Sequence, residues 1–391
     1  EAEAGERGLA LRYAKLVTTC WSEEQVRDEL QTLRGRDIEA ELEAEAEADR
    51  AQHLSLQSLY AKPPPIWLHP AFAAEFGDAF IADTALEAGS LHISLEVVVL
   101  ALGRMLKEAA EGSAGALPHA ARSALNSAHS LLDDATKLAH KLSHALAHPG
   151  QQRMYLSRVL KSLDGLQPGA SLVLPCAVGE VPIMLLISRG ATPDEETCRL
   201  TVVSCDPEVL AHHRCTAEPP KLKYETCLSL NDVQISKVKD EAFWAVLWFA
   251  ATSTEAGRLS PVKMFYQVLL SFLTDASLEQ AMLLSEDGEP TEFHTPRRSA
   301  SAYYGCVRHA LRFLLRGFGV AQDDCRRISL GLRVELLAMA QRDLAFVSYV
   351  TTAERSILHI ACRQLAYKAA KLGADAGDEG SAGRGGGGGA G

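Results

Sequence analysis

Leu166-Gln-Pro-Gly-Ala-Ser-Leu-Val-Leu-Pro175 is where the chain changes character. Proline fixes one backbone angle and glycine takes up angles that other residues avoid, so Gln167-Pro-Gly169 reads as a turn. Before it the apolar pattern has a helical period; after it come short apolar or alternating runs. Ser171–Pro175 and Val181–Ser188 are apolar runs, and the second suits a strand buried on both faces. Thr197–Cys205 alternates, with Cys198, Leu200 and Val202 against Arg199, Thr201 and Val203. Lys221–Leu230 alternates again, with Leu222, Tyr224, Thr226, Leu228 and Leu230 on one side and Lys223, Glu225, Cys227 and Ser229 on the other. Together these runs predict one small, mainly antiparallel sheet within 166–235. The fold class expected is α+β, mostly helical, with that sheet between an N-terminal and a C-terminal helical region.

Working back from the turn, residues 8–164 read as helical almost throughout. Ser22-Glu-Glu-Gln25 is a capping box, and Asp37 can cap a helix that Pro63-Pro-Pro65 ends. Pro118 suits the first position of a long helix to Ala147. Its seam sets Ala121, Ala128, Ala135 and Leu142 beside Leu125, Leu132, Ala139 and Leu146, small residues that let a neighbour approach. His148-Pro149-Gly150 turns the chain into a second helix, Gln151–Leu163, so 118–164 is predicted to be a helical hairpin.

Working forward, Ser236 leads into an aromatic-rich helix through Phe243, Trp244, Trp248 and Phe249, a set that with Phe265 and Tyr266 reads most simply as core. Ser260-Pro261 is a cap followed by proline at the first helical position. A helix over Ala302–Arg316 stops at Gly317 and Gly319, and Thr351-Thr-Ala-Glu354 starts a last one. Residues 236–372 are thus expected to be helical and to pack with the sheet region, and the glycine-rich 373–391 to be disordered.

The 391 residues carry a net charge of -11, which argues against nucleic acid as a partner, because phosphates need a basic surface. No apolar run is long enough for a membrane span. The chain begins Glu1-Ala-Glu-Ala without Met, which reads as a fragment, a processed form or an expression scar, and shows no secretory signal. Nine cysteines, scattered rather than densely spaced, fit reduced thiols in a cytoplasmic protein.

Four segments carry a resemblance: Leu166–Pro175, Thr201-Val-Val-Ser-Cys-Asp206, Pro220-Lys-Leu-Lys-Tyr-Glu-Thr-Cys227 and Thr295-Pro-Arg-Arg-Ser-Ala-Ser-Ala-Tyr-Tyr-Gly-Cys306. From about Ser157 to Lys371 the chain resembles a module of very large protist and algal multidomain proteins often labelled ubiquitin hydrolases. In that pattern the last segment carries Gln at the Arg297 position and Cys at the Ala302 position. The resemblance implies a permuted papain-like order, sheet first and then a cysteine at a helix start, where unpaired amides and the helix dipole lower a thiol's pKa. Here that position holds Ala302, which cannot attack anything, and Cys306 lies four residues deeper.

Other constellations stay open. A catalytic set could use His212 or His213 as base, Asp206 or Asp232 to orient it, and Cys176 or Cys306 as nucleophile; polar loop residues beside a structural thiol are the plainer reading. Cys198, Cys205, His212, His213, Cys215 and Cys227 lack the paired short spacings of structural zinc sites. His140, His144 and His148 recur every four residues, either as a metal-binding or pH-sensing stripe or as cations near a helix C-terminus. Arg308, Arg312 and Arg316, with Arg297 and Arg298 upstream, form an anion- or partner-binding row or a solvated face. No phosphate-cradling glycine loop and no serine elbow is present, and no cofactor is expected. The expectation is a non-catalytic interaction or regulatory segment of a larger protein on a degenerate cysteine-hydrolase-like core, with a protein partner. The alternatives are an active cysteine peptidase or deubiquitinase and a purely structural helical scaffold.

Overall fold

A computed structural model describes residues 91–110, 117–147, 152–179, 181–192, 196–218, 221–252, 260–284, 293–294 and 302–346. The capping box at Ser22, the Asp37 start, the Pro63–Pro65 stop, the Thr351 helix and the glycine-rich tail lie outside the described residues. Contacts divide the chain into two units, one with Gly77–Val99 and Asn126–Phe318, the other with Glu1–Phe76, Leu100–Leu125 and Gly319–Gly391.

The first helices are α1 (Leu91–Ala110), α2 (His119–Ala147) and α3 (Gln152–Asp164). Most of the seam expected along α2 is buried: Ala121, Leu125, Ala128, Leu132, Ala135 and Ala139 are shielded from water, Leu142 is half-buried, and the Leu146 side chain lies outside the described residues. Strands follow from the turn at Gly169, whose φ of 73° needs glycine. They are β1 (Ser171–Val178), β2 (Val181–Arg189) and β3 (Thr197–Val203). A short helix, α4 (Pro207–Leu210), leads to β4 (Cys215–Glu218), β5 (Lys221–Glu225) and β6 (Cys227–Gln234).

Two antiparallel sheets form where the alternating runs predict one. The four-stranded sheet has the order β1-β2-β3-β6, and a three-stranded sheet has β4-β5-β7, where β7 is Phe293–His294. The strand expected over Lys221–Leu230 is therefore two strands in two different sheets. Thr226 is the break: it leaves the ladder, and its carbonyl instead accepts from the Ser204 amide at 3.1 Å. The facing of the first half also departs from the alternation, since Leu222 is 52% exposed and Glu225 only 4%. Alternation shows which residues share a side but not which strand takes up their hydrogen bonds, and here the partner changes midway. The strand expected to reach Cys205 stops at Val203, where Ser204, Cys205 and Asp206 turn into α4.

After β6 come α5 (Ile235–Val238) and α6 (Glu241–Thr252), two helices where one is expected from Ser236. Asp240 separates them because its carboxylate accepts from the Ala242 amide at 2.8 Å, restarting the helix with a new cap. Ser260 caps α7 (Pro261–Lys263) through the Lys263 amide, as the Ser-Pro pair predicts. That helix passes through a π-helical segment, Met264–Leu269, into α8 (Leu270–Thr274). Next come α9 (Leu278–Leu284), α10 (Ala302–Gly317) and α11 (Gln322–Phe346). No described helix is long and apolar enough to cross a membrane.

Successive strand residues face opposite sides, and both sides of the four-stranded sheet are covered. Ile183, Leu185, Ile187, Leu200, Val202, Leu228 and Leu230 join a core with Val159 of α3, Phe243, Trp244 and Leu247 of α6, and Phe265, Tyr266 and Leu270. Helix α10 packs on the sheet through β2, β3 and β6. Every residue of β2 from Val181 to Ile187 is buried, as its apolar run predicts. In the other unit, Leu102, Met105, Cys325, Ile328, Leu332 and Met339 are buried, and the Met105 methyl rests against Gly331.

Candidate functional site

Buried polar side chains gather at one end of the four-stranded sheet. The β1–β2 hairpin, the turn after β3 and the break before β6 all lie there, as the pairings Val178↔Val181 and Val203↔Cys227 require. Ser204, His213, Glu225, Thr226 and, one turn beyond Cys306, His309 are buried. Polar groups are shielded only when their hydrogen bonds are met, so such a cluster is the first place to look for chemistry.

His213 is tied at both ring nitrogens: Nδ1 lies 2.7 Å from the Glu225 carbonyl oxygen and Nε2 2.7 Å from the Tyr266 hydroxyl. Burial is the main cause holding its pKa down, at about 4, so the ring is neutral near pH 7. The neutral ring has one N–H, which suits donation to the carbonyl and acceptance from the phenol. His212, half-buried, stacks on the same tyrosine, with ring centroids 4.8 Å apart and planes 11° from parallel. Burial, then the charge of Lys263, lowers its pKa.

Cys306 sits on the buried side of α10. Its sulfur donates to the Pro182 carbonyl at 3.4 Å, an oxygen that the Ser204 hydroxyl also reaches at 3.2 Å. A hydrogen bond with the side chain of Cys205, then burial, pushes the Cys306 thiol well above its ordinary range. Helix and loop meet closely because Gly305 has no side chain there, its Cβ position falling 2.7 Å from the Cys205 sulfur. Glu225 carries a carboxyl pushed up to about 7, mainly by burial and against the pull of Arg214. The Arg214 Nε lies 3.2 Å from Glu225 Oε2, close enough for ion pairing but too poorly aligned for a hydrogen bond.

The other candidates are dispersed. Asp206 caps α4, its carboxylate accepting from the Glu208 amide at 2.9 Å. Asp232 is exposed, at a φ of 54°, where β6 bulges opposite Arg199. Cys176 lies in the core on the other side of the sheet, next to Tyr155, and burial pushes its thiol up to about 12. His140 is exposed, its ring centroid 6.2 Å from that of His92; the side chain of His144 and all of His148 lie outside the described residues. Arg308, Arg312 and Arg316 recur along α10, half-buried, and an Arg308 nitrogen lies 3.3 Å from His309 Nε2. Arg297 and Arg298 lie outside the described residues. Among the described residues no group of three His, Cys, Asp or Glu side chains converges to hold a metal ion.

Of the described sequence candidates, then, His212 and His213 share Tyr266, which stacks on the first and bonds the second, and Cys306 adds to the rise of the tyrosine's pKa. Tyr266, Ser204 and Glu225 are the members that sequence reasoning misses. Tyr266 looks like an ordinary core aromatic, and Glu225 falls on the polar side of an alternating run. Comparisons with family models, curated proteins and solved structures find no match.

Proposed function

We propose that this chain is a non-catalytic interaction or regulatory segment of a larger protein, built on a degenerate cysteine-hydrolase-like core. Ubiquitin processing is the context that the sequence resemblance implies. The observation that carries this reading is the pairing of His213. A general base needs a free nitrogen facing a nucleophile, and both nitrogens of this ring are taken inside a closed core. Ala302 at the first position of α10 supports the same reading, since a methyl group stands where helix amides would sharpen a thiol. A role in binding is supported by α6, which is apolar on nearly every side yet keeps Val246 exposed. Val268 and Phe272 are exposed as well. Surfaces of this kind suit protein partners.

A second reading, an active cysteine-type hydrolase, draws on one contact. The Tyr266 hydroxyl is bonded to His213, and the pKa of that tyrosine is raised by burial and then by Cys306, so a thiol and an imidazole both act on one phenol. A ubiquitin-based electrophilic probe separates the two. The first reading expects no stoichiometric labelling. Labelling of one cysteine, lost on Cys306→Ala or Cys176→Ala, overturns it in favour of the second.

A further inference from the structure

We propose that Cys205 and Cys306 are a paired oxidation site, at which a hydroperoxide joins the two thiols as a disulfide that ties the end of β3 to the start of α10. The proposal stands whether or not the chain has any link to ubiquitin, because it uses only this contact.

Three observations place the two sulfurs together. The thiols are hydrogen-bonded to each other. The Cys205 sulfur fills the space where a side chain on Gly305, the residue before Cys306, would begin. The Pro182 carbonyl accepts from both Cys306 and Ser204, the residue before Cys205, which fixes the two segments on one oxygen. Pairing in a native disulfide demands such proximity, since two cysteines far apart cannot be bridged without moving backbone.

The chemistry closes on these groups. The Cys306 sulfur attacks the hydroperoxide, breaking its O–O bond to give a sulfenic acid and an alcohol, or water from hydrogen peroxide. The Cys205 sulfur then attacks the sulfenic sulfur; the S–S bond forms, the S–O bond breaks, and the leaving hydroxide departs as water with the Cys205 proton. Two thiols have lost two electrons and the peroxide has gained them. The same bonds form and break if Cys205 attacks first. Both cysteines are buried, so attack waits on local opening and is slower than oxidation of exposed Cys215. Once the sulfenic acid exists, its partner is already in contact, and further oxidation loses the race.

The test is peptide mapping of the folded wild-type chain after graded hydrogen peroxide, with remaining thiols blocked in denaturant and no reduction before digestion. The expected result is a linked Cys205–Cys306 peptide, two hydrogens lighter than the separate thiol peptides and released by a thiol reductant. The oxidised chain should also melt higher, because the bridge closes a loop of roughly 100 residues; that rise should be absent from Cys205→Ser. Cys215→Ser removes the exposed thiol and should leave the yield of the link unchanged. Sulfinic acid at Cys306 without a link overturns the proposal. So does survival of both thiols at exposures that oxidise buried Cys176 and Cys198, or a link that vanishes in Cys215→Ser.

Discussion

Gly305 faces Cys205 so closely that a methyl group on the glycine would stand 2.7 Å from the sulfur and 3.0 Å from its Cβ. The contact sets how deeply α10 seats against the end of β3, and it makes the glycine a packing requirement rather than a helix defect. Gly305→Ala gains up to about 1 kcal/mol of helix propensity. Overpacking against a short buried side chain costs typically 1–3 kcal/mol. The expected net is a loss of about 1 kcal/mol, within roughly 0–2 once the full propensity gain is subtracted, read from urea unfolding. In a Cys205→Ala background the same change should cost less, with a coupling of at least about 0.5 kcal/mol. Strict additivity would show that the glycine is not answering to this sulfur.

Tyr266→Phe removes one oxygen and keeps the ring. It leaves His213 Nε2 buried with its 2.7 Å partner gone. An orphaned buried acceptor costs about 1–3 kcal/mol, so the denaturation midpoint should fall by that amount with little change in slope. An unchanged midpoint would mean that the bond adds no net stability.

What the sequence made legible follows from where its signals are local. The α2 seam, the doubly buried β2, the Ser260-Pro261 cap and the start of α10 at Ala302 depend on neighbours a few positions away. The break at Thr226 depends on a carbonyl answering Ser204 from a distant turn, and the alternation runs straight through it. The same holds at the site. His213 stands out as a titratable side chain, but its partners are the Glu225 backbone and Tyr266, neither of which carries a mark in sequence. A phenol that satisfies an imidazole reads like any other core aromatic until the fold brings them together.

Thiol reactivity should divide the cysteines sharply. Burial pushes Cys176 to about 12 and Cys198 to about 11. At pH 8 Cys176 therefore holds roughly a thousandth of the thiolate of an ordinary thiol, before any loss of access. Among the described cysteines, exposed Cys215 should alkylate first in the folded chain, with buried Cys176, Cys198, Cys205 and Cys306 far slower. Time-resolved iodoacetamide mapping checks the order, and early modification of Cys176 would contradict its placement in the core.

The last prediction joins two groups whose titrations oppose each other. His213 is held at about 4 against an ordinary 6.5, so between those values the unfolded chain binds a proton that the folded chain does not. Its contribution is present above pH 6.5 and is lost as pH falls toward 4. Glu225 runs the other way, pushed up to about 7 from 4.5, so between those values the folded chain keeps a proton that the unfolded chain has released. Its contribution is present below pH 4.5 and is lost as pH rises toward 7. Each slope is about 1.4 kcal/mol per pH unit where it acts, and from pH 4.5 to 6.5 the two have opposite signs. For these two groups stability should therefore be nearly flat across that window. Glu225→Gln removes one of them and leaves His213 exposed in the pH dependence: the variant should lose stability by about 1 kcal/mol per unit relative to wild type as pH falls from 6.5 to 4.5. Urea unfolding at several pH values reads this directly. Parallel wild-type and variant curves would mean that the Glu225 carboxyl does not titrate in this window.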